Sequence, residues 1–201
     1  HRAHLVGEVC DAGSSGTNPF WNFLSIISDG HRYYAPIPVR GASLGQLEGL
    51  IGSKVQLDGF PTSHDRSYRF LDERRFMVAD MNHITVIAKP AQDPFSAAPS
   101  VADLRRLMPE QISQLGRHKA IGRVLTVWQN NNALLRMSDN RIAIVSFSDP
   151  TSAKRGQHVE VIGYPSTDGF ILRLSRALSR PFAGTDLVKS DSRSLEADDA
   201  K

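Results

Sequence analysis

Gly59-Phe60-Pro61-Thr62 and Gly163-Tyr164-Pro165-Ser166 are nearly the same phrase, set far apart in a chain without low-complexity segments. A single Gly-aromatic-Pro is a turn signal. Two of them, each with the same neighbours upstream, indicate one structural unit used twice. "HLVGEV" (4–9) is answered by "KAIGRV" (119–124), each with two apolar residues, a glycine, a charge and a valine. "NFLSIISDGHRYYAPI" (22–37) is answered by "NALLRMSDNRIAIVSF" (132–147). Both are β-prone runs broken at Ser-Asp-Gly or Ser-Asp-Asn, where Gly and Asn tolerate the positive φ of a hairpin turn. "IGSKVQLDGFP" (51–61) is answered by "KRGQHVEVIGYP" (154–165), and "SYRFLDERRFMV" (67–78) by "FILRLSRALSRPF" (170–182). Val55 and Leu57, like Val159 and Val161, alternate with polar residues, the period of a half-buried strand.

Each copy therefore reads as strand, two-stranded hairpin, connection, strand, turn, strand. Five strands in that order are the inventory of an OB-fold, a small Greek-key barrel, with SH3-like or other small barrels as the alternative that strand counting separates poorly. The expected fold is mainly β: two tandem five-stranded OB-like barrels, over 1–88 and 118–183, with a Pro-rich and helical linker at 89–117. A polar tail or linker follows at 184–201. In the first copy, Leu44, Leu47, Leu50 and Ile51 recur at helical spacing between the third and fourth strands. The matching stretch of the second copy is too short and broken for a helix. In the linker, Ser100 and Asp103 resemble a capping box, and Pro109 suits the first turn of a second short helix. The repeated Gly-aromatic-Pro phrase is expected to turn the chain between the last two strands of each barrel.

With 40% hydrophobic and 22% charged residues, the composition is that of an ordinary globular chain. No apolar run approaches the ~20 residues that span a bilayer. The chain opens at His1 with no leader-like segment, so it reads as a mature or excised piece of something longer. Cys10 is the only cysteine, which excludes an internal disulfide, and its place in an apolar strand suits a small buried hydrophobe. There is no Gly-x-Ser-x-Gly, P-loop or dinucleotide fingerprint, so nothing marks an enzyme. His1 and His4 lack partners for zinc, and His64-Asp65 reads as a turn before a general-base pair. No metal and no cofactor is expected.

Binding is the remaining class. OB-folds hold single strands on aromatic platforms, and oligosaccharides between strands and loops. The first copy offers Phe20, Trp21 and Phe23, then Arg32, Tyr33 and Tyr34, with Arg66, Arg69, Arg74 and Arg75 later. The second offers Trp128 and Phe147, with Arg136, Arg141 and Arg173. The candidate ligand-binding set is Trp21, Arg32, Tyr33, Tyr34, Arg69, Trp128, Arg136 and Arg141. Trp21 leads it, at the end of the long loop 11–22. Alternation turns at least half of the aromatics into the core. A formal charge of +3 and interleaved acids such as Asp65, Asp72 and Glu73 favour a solvated mixed-charge face over a nucleic-acid surface.

"SVADLRRLMPEQISQLGRHKAIGRVLTVW" (100–128), running into "NALLRMSDNRIAIVSF", resembles a module of the extracytoplasmic region of large bacterial sensor histidine kinases. "GYPSTDGFILRLSRALSRP" (163–181) is similar to the closing strands of such modules. The resemblance implies tandem barrels outside the membrane, in the periplasm, within a membrane-anchored protein with a cytoplasmic kinase core. On that reading this chain is the non-catalytic sensing region, binding an unknown extracytoplasmic ligand or protein and dimerising through its parent kinase. The alternatives are a single-stranded nucleic-acid-binding OB-fold protein and a structural or dimerisation module.

Overall fold

The computed structural model describes residues 1–182 apart from 17, 63–73, 97, 130, 151–152 and 170. Barrel one is built from β1 (Ala3–Ser14), β2 (Trp21–Ser28), β3 (His31–Pro38), β4 (Lys54–Thr62) and β5 (Arg74–Met77). Its strand order is β1-β2-β3-β5-β4, and pairing of β1 with β4 closes it. After a 3-10 turn at Met81–His83, β6 (Ile84–Ala88) pairs with the start of β4. Barrel two repeats the plan with β7 (His118–Trp128), β8 (Asn132–Met137), β9 (Ile142–Phe147), β10 (His158–Asp168) and β11 (Ile171–Pro181). Its strands close in the order β10-β11-β9-β8-β7. The expected pair of OB-like barrels is thus observed.

The duplication holds at the level of single hydrogen bonds. The Gly52 N–H donates to the Val9 carbonyl at 2.8 Å, as Gly156 does to Val124 at 2.8 Å. Val9 N–H donates back to Ser53 at 3.0 Å, and Val124 N–H to Gln157 at 2.9 Å. Each first strand bulges in the same place, between Val9 and Asp11 or between Val124 and Thr126. The β2–β3 hairpin turns through Asp29 (φ 48°) and Gly30 (φ 71°), as its Asp-Gly sequence requires.

The repeated phrase is not a turn, which corrects the expectation above. Gly59-Phe60-Pro61 lies inside β4 and Gly163-Tyr164-Pro165 inside β10. At Gly59 the strand finishes pairing with β1, and at Phe60 it begins pairing with β5. A Cβ on Gly59 would stand 2.1 Å from the Met77 carbonyl oxygen. The glycine therefore lets two backbones approach where the sheet changes partner.

Each barrel also needs a plug for its apolar interior. Barrel one uses α1 (Leu44–Glu48), capped by Ser43 and Gln46 in a capping box and burying Leu47. Barrel two has no helix between β9 and β10 among the described residues. There the preceding segment fills the role: Val101 and Leu104 of a 3-10 turn (Val101–Arg106) and Ile112 of α2 (Pro109–Ile112) join its core. Pro109 opens α2 and Ser100 caps the 3-10 turn, as their sequence positions indicate.

The barrels meet at Tyr164. Its hydroxyl donates to Glu8 Oε1 at 2.6 Å, with the Val9 carbonyl oxygen 3.2 Å away. Arg117 lies over its ring at 5.2 Å. Beside it, Arg176 Nε donates to Asp11 Oδ1 at 2.6 Å, and a second guanidinium nitrogen bonds the Ala12 carbonyl. Among the described residues no helix is long and apolar enough to cross a membrane.

Candidate nucleic-acid interface

Alternation sorts the side chains of barrel one into an inner and an outer set. Leu24 and Ile26 of β2, and Ala35 and Ile37 of β3, enter the core. The residues between them, Trp21, Phe23, Tyr34, Pro36 and Pro38, stand on the outer face, half-buried. Phe23 and Tyr34, diagonal neighbours across the strand pair, stack with ring centroids 5.1 Å apart and planes at 29°. Gly13 of β1 lies opposite Phe23, and a Cβ there would come within 2.8 Å of the ring. The missing side chain lets the phenyl lie flat on the sheet.

Cations border these rings. Arg75 of β5 pairs in register with Tyr34, and its guanidinium lies 5.7 Å from the ring centroid. Arg32 stands on the same face, half-buried. Arg32 and Arg75 each keep a buried Nε without a hydrogen-bond partner among the described residues. Phe20, at the end of the loop before Trp21, is 75% exposed. Trp21, Phe23, Ser25, Ile27, Arg32, Tyr34, Pro36, Pro38, Arg75 and Met77 carry this face over β2, β3 and β5. On β1 beside them stand Glu8 and Asp11, in register with Ile27 and Ser25, Glu8 accepting from Tyr164 and Asp11 paired with Arg176.

The candidate residues separate accordingly. Trp21, Arg32 and Tyr34 share the outer face of barrel one. Tyr33 turns the other way and packs against the core, with Arg74 donating to its hydroxyl at 3.4 Å. Arg69, with Arg66, His64 and Asp65, lies outside the described residues. Trp128, Arg136 and Arg141 form no comparable platform. The matching outer positions of β8 and β9 carry Leu134, Ile142 and Ile144. Arg141 Nε is bound to Asp139 Oδ2 at 2.7 Å. Burial works to raise the pKa of Asp139, but the hydrogen bonds from Arg141 outweigh it and hold the carboxyl low. Phe23 and Arg75 join the face although the candidate set omits them; Phe23 shares the phase of Trp21, two residues away. Cys10 is buried against the Ser25 carbonyl, and burial, partly offset by Arg32, pushes its thiol pKa up. It stays a protonated, inert hydrophobe.

No protein-family model matches the chain, and no curated protein does. Similar solved structures include a murine DNA-binding protein bound to double-stranded DNA, at 8% identity, 89% of this chain, 97% of that one and a TM-score of 0.35. A replication protein A heterotrimer bound to single-stranded DNA shares 11% identity over 90% of this chain and 48% of that one, with a TM-score of 0.42. A deletion mutant of the single-stranded DNA-binding protein from Thermus aquaticus shares 11% over 94% and 97%, with a TM-score of 0.28. The sensor-kinase expectation is corrected here. These three structures are described as DNA-binding proteins or as bound to DNA, and no sensor-kinase family model matches the chain. At such low identities and scores, function has to be argued from the chain's own surface.

Proposed function

We propose that barrel one binds single-stranded nucleic acid across the outer face of β2, β3 and β5. The observation that carries this reading is the Phe23–Tyr34 stack with Arg75 over Tyr34. Bases offer π-faces to such rings only when they are unpaired, and the phosphates between them want cations held close by. A sugar would want free planar acceptors, and the carboxylates nearest this face, Glu8 and Asp11, are taken by Tyr164 and Arg176. The mixed-charge objection raised by the sequence loses force on this face, because the acids beside it, Glu8 and Asp11 of β1, are already engaged by Tyr164 and Arg176 of the second barrel.

The test is a titration with an oligothymidylate, read by Trp21 fluorescence in a Trp128→Phe background. With Arg32 and Arg75 on phosphates, log K falls against log salt with a slope of about −1.4. Phe23→Ala or Tyr34→Ala weakens binding by ~1–3 kcal/mol at every salt concentration, the worth of one stacked base. Arg75→Ala makes the slope shallower by about 0.7. Absence of binding at low salt, or affinity indifferent to both ring deletions, sinks the reading.

A further inference from the structure

The apolar face continues past the platform. Register sets Phe23 opposite Pro36. Val78 N–H donates to the Pro36 carbonyl at 3.3 Å, bringing the end of β5 alongside. Met77 in turn faces Phe60 of β4. Beyond Phe60 comes the first strand, where Ala3 pairs with Gly59 and so sets Arg2 beside the ring. From β2 to β4 this is three strand spacings, about 14 Å. Phe60 and Met77 are 53% and 39% exposed. With Trp21, Pro38, Arg2 and Arg40 they line a cavity of about 580 Å3. That is within the size range of small-molecule sites, and Trp21 links it to the platform.

Barrel two shows that the barrel does not need this ring in the open. Tyr164 fills the place of Phe60 in the repeat and is 1% exposed, because barrel one covers it. On barrel one no described residue covers the same position in this way. Arg2 and Arg40 at the rim are in no ion pair among the described residues. The acid of the cavity, Asp58, is already held through Oδ1 by His4 at 2.5 Å and Gln56 at 3.1 Å. An aromatic floor with Arg2, which also acts on Asp58, and Arg40 at its edge, neither in an ion pair among the described residues, matches a base and its phosphate. The surface of barrel two that corresponds in the repeat to the one covering Tyr164, Arg123 of β7 with Lys154 and Arg155 of the turn before β10, is basic, and a second copy docking through it would be repelled by those cations.

We propose that this cavity is a further nucleotide subsite of barrel one, taking a base against Phe60 with its phosphate toward Arg2 and Arg40. It rests on the single-strand reading above and extends the path of the strand around the barrel. The experiment compares oligothymidylates of about 4 and about 12 nucleotides, the span of site sizes for one such barrel. The proteins are the wild type, Phe60→Ala, the double variant Arg2→Ala with Arg40→Ala, and Tyr34→Ala. Phe60→Ala removes an exposed ring, so the fold is retained, and a melting curve verifies it. Both cavity variants weaken the long oligonucleotide about tenfold and leave the short one unchanged, whereas Tyr34→Ala weakens both. If the cavity variants bind both lengths as the wild type does while Tyr34→Ala fails, the subsite is overturned and the platform stands. If the wild type binds neither, both readings fall. If Phe60→Ala instead abolishes self-association in sedimentation with binding unchanged, the cavity is a protein-docking surface and the proposal is overturned.

Discussion

Gly59 and Gly163 each end their strand's pairing with the first strand of the barrel, with different tolerance for a side chain. A Cβ at Gly59 would meet the Met77 carbonyl oxygen at 2.1 Å and the Phe76 ring at 2.9 Å. At Gly163 the nearest atom, the Ser175 carbonyl oxygen, is 3.0 Å away, and the others are side-chain carbons. The second sheet has a bulge between Ile162 and Tyr164 that already opens the pairing there. The clash in β4 is with backbone that is pinned by the short β5, so relief requires moving a strand. Gly59→Ala is therefore expected to cost about 3 kcal/mol and Gly163→Ala about 1, in the range for overpacked interiors. Urea unfolding of the two variants checks this, and equal losses would refute the account of Gly59 as a close backbone approach that Gly163 does not share. The phrase was legible as a repeat because both glycines are needed for it. Its place within the strand was not, since Gly followed by Pro signals a turn unless the partner strands are known.

Among the elements, the plugs differ most between the copies. Leu47 of α1 seals barrel one, whereas Leu104 and Ile112 arrive at barrel two from the segment ahead of it. That segment is tied down further by the Lys119 N–H donating to the Pro99 carbonyl at 2.7 Å, and by Arg180 stacking on Phe95 at 4.4 Å. Leu104→Ala is accordingly expected to cost ~2–5 kcal/mol, as for a core leucine, where a spacer leucine would cost nothing. Ser43→Ala, which removes only the cap of α1, is expected to cost ~1 kcal/mol. Thermal unfolding of both variants separates the two magnitudes, and a neutral Leu104→Ala would return the segment to the role of a spacer. The strands themselves could be read from the sequence, because alternation and Asp-Gly or Asp-Asn turns are local signals. Which barrel the short helices serve could not, because four to six residues of helix carry no periodicity that points to a partner. The binding face shows the same division. Trp21 and Arg32 could be picked from composition, but choosing Tyr34 over Tyr33 needs the phase set by Ala35 and Ile37. The platform as a whole needs β5 placed beside β3, a long-range pairing that no local pattern reveals.

At the scale of the molecule, the copies have diverged around one residue, Phe60 in the first and Tyr164 in the second. The added hydroxyl turns an open ring into a clasp between barrels through Glu8 and the Val9 carbonyl. Burial, and after it the nearby Glu8 charge, push the pKa of Tyr164 far above the ordinary phenol value of 10.0. In the docked state the phenol stays neutral, whereas in the unfolded chain it ionises near 10.0. The folded pKa is the higher one, so this contribution is fully present below pH 10 and is lost as pH rises beyond it. The loss is about 1.4 kcal/mol for each pH unit above that point. Tyr164→Phe forfeits the hydrogen bond, ~1–2 kcal/mol near neutral pH, but has no phenol to ionise. The stability gap between wild type and Tyr164→Phe is thus expected to hold steady from about pH 8 to 10 and to narrow above 10. Urea titrations at stepped pH on both proteins measure it. Side chains common to both cancel in the difference, so a gap that stays constant up to about pH 11 would mean that Tyr164 does not hold the barrels together through its proton.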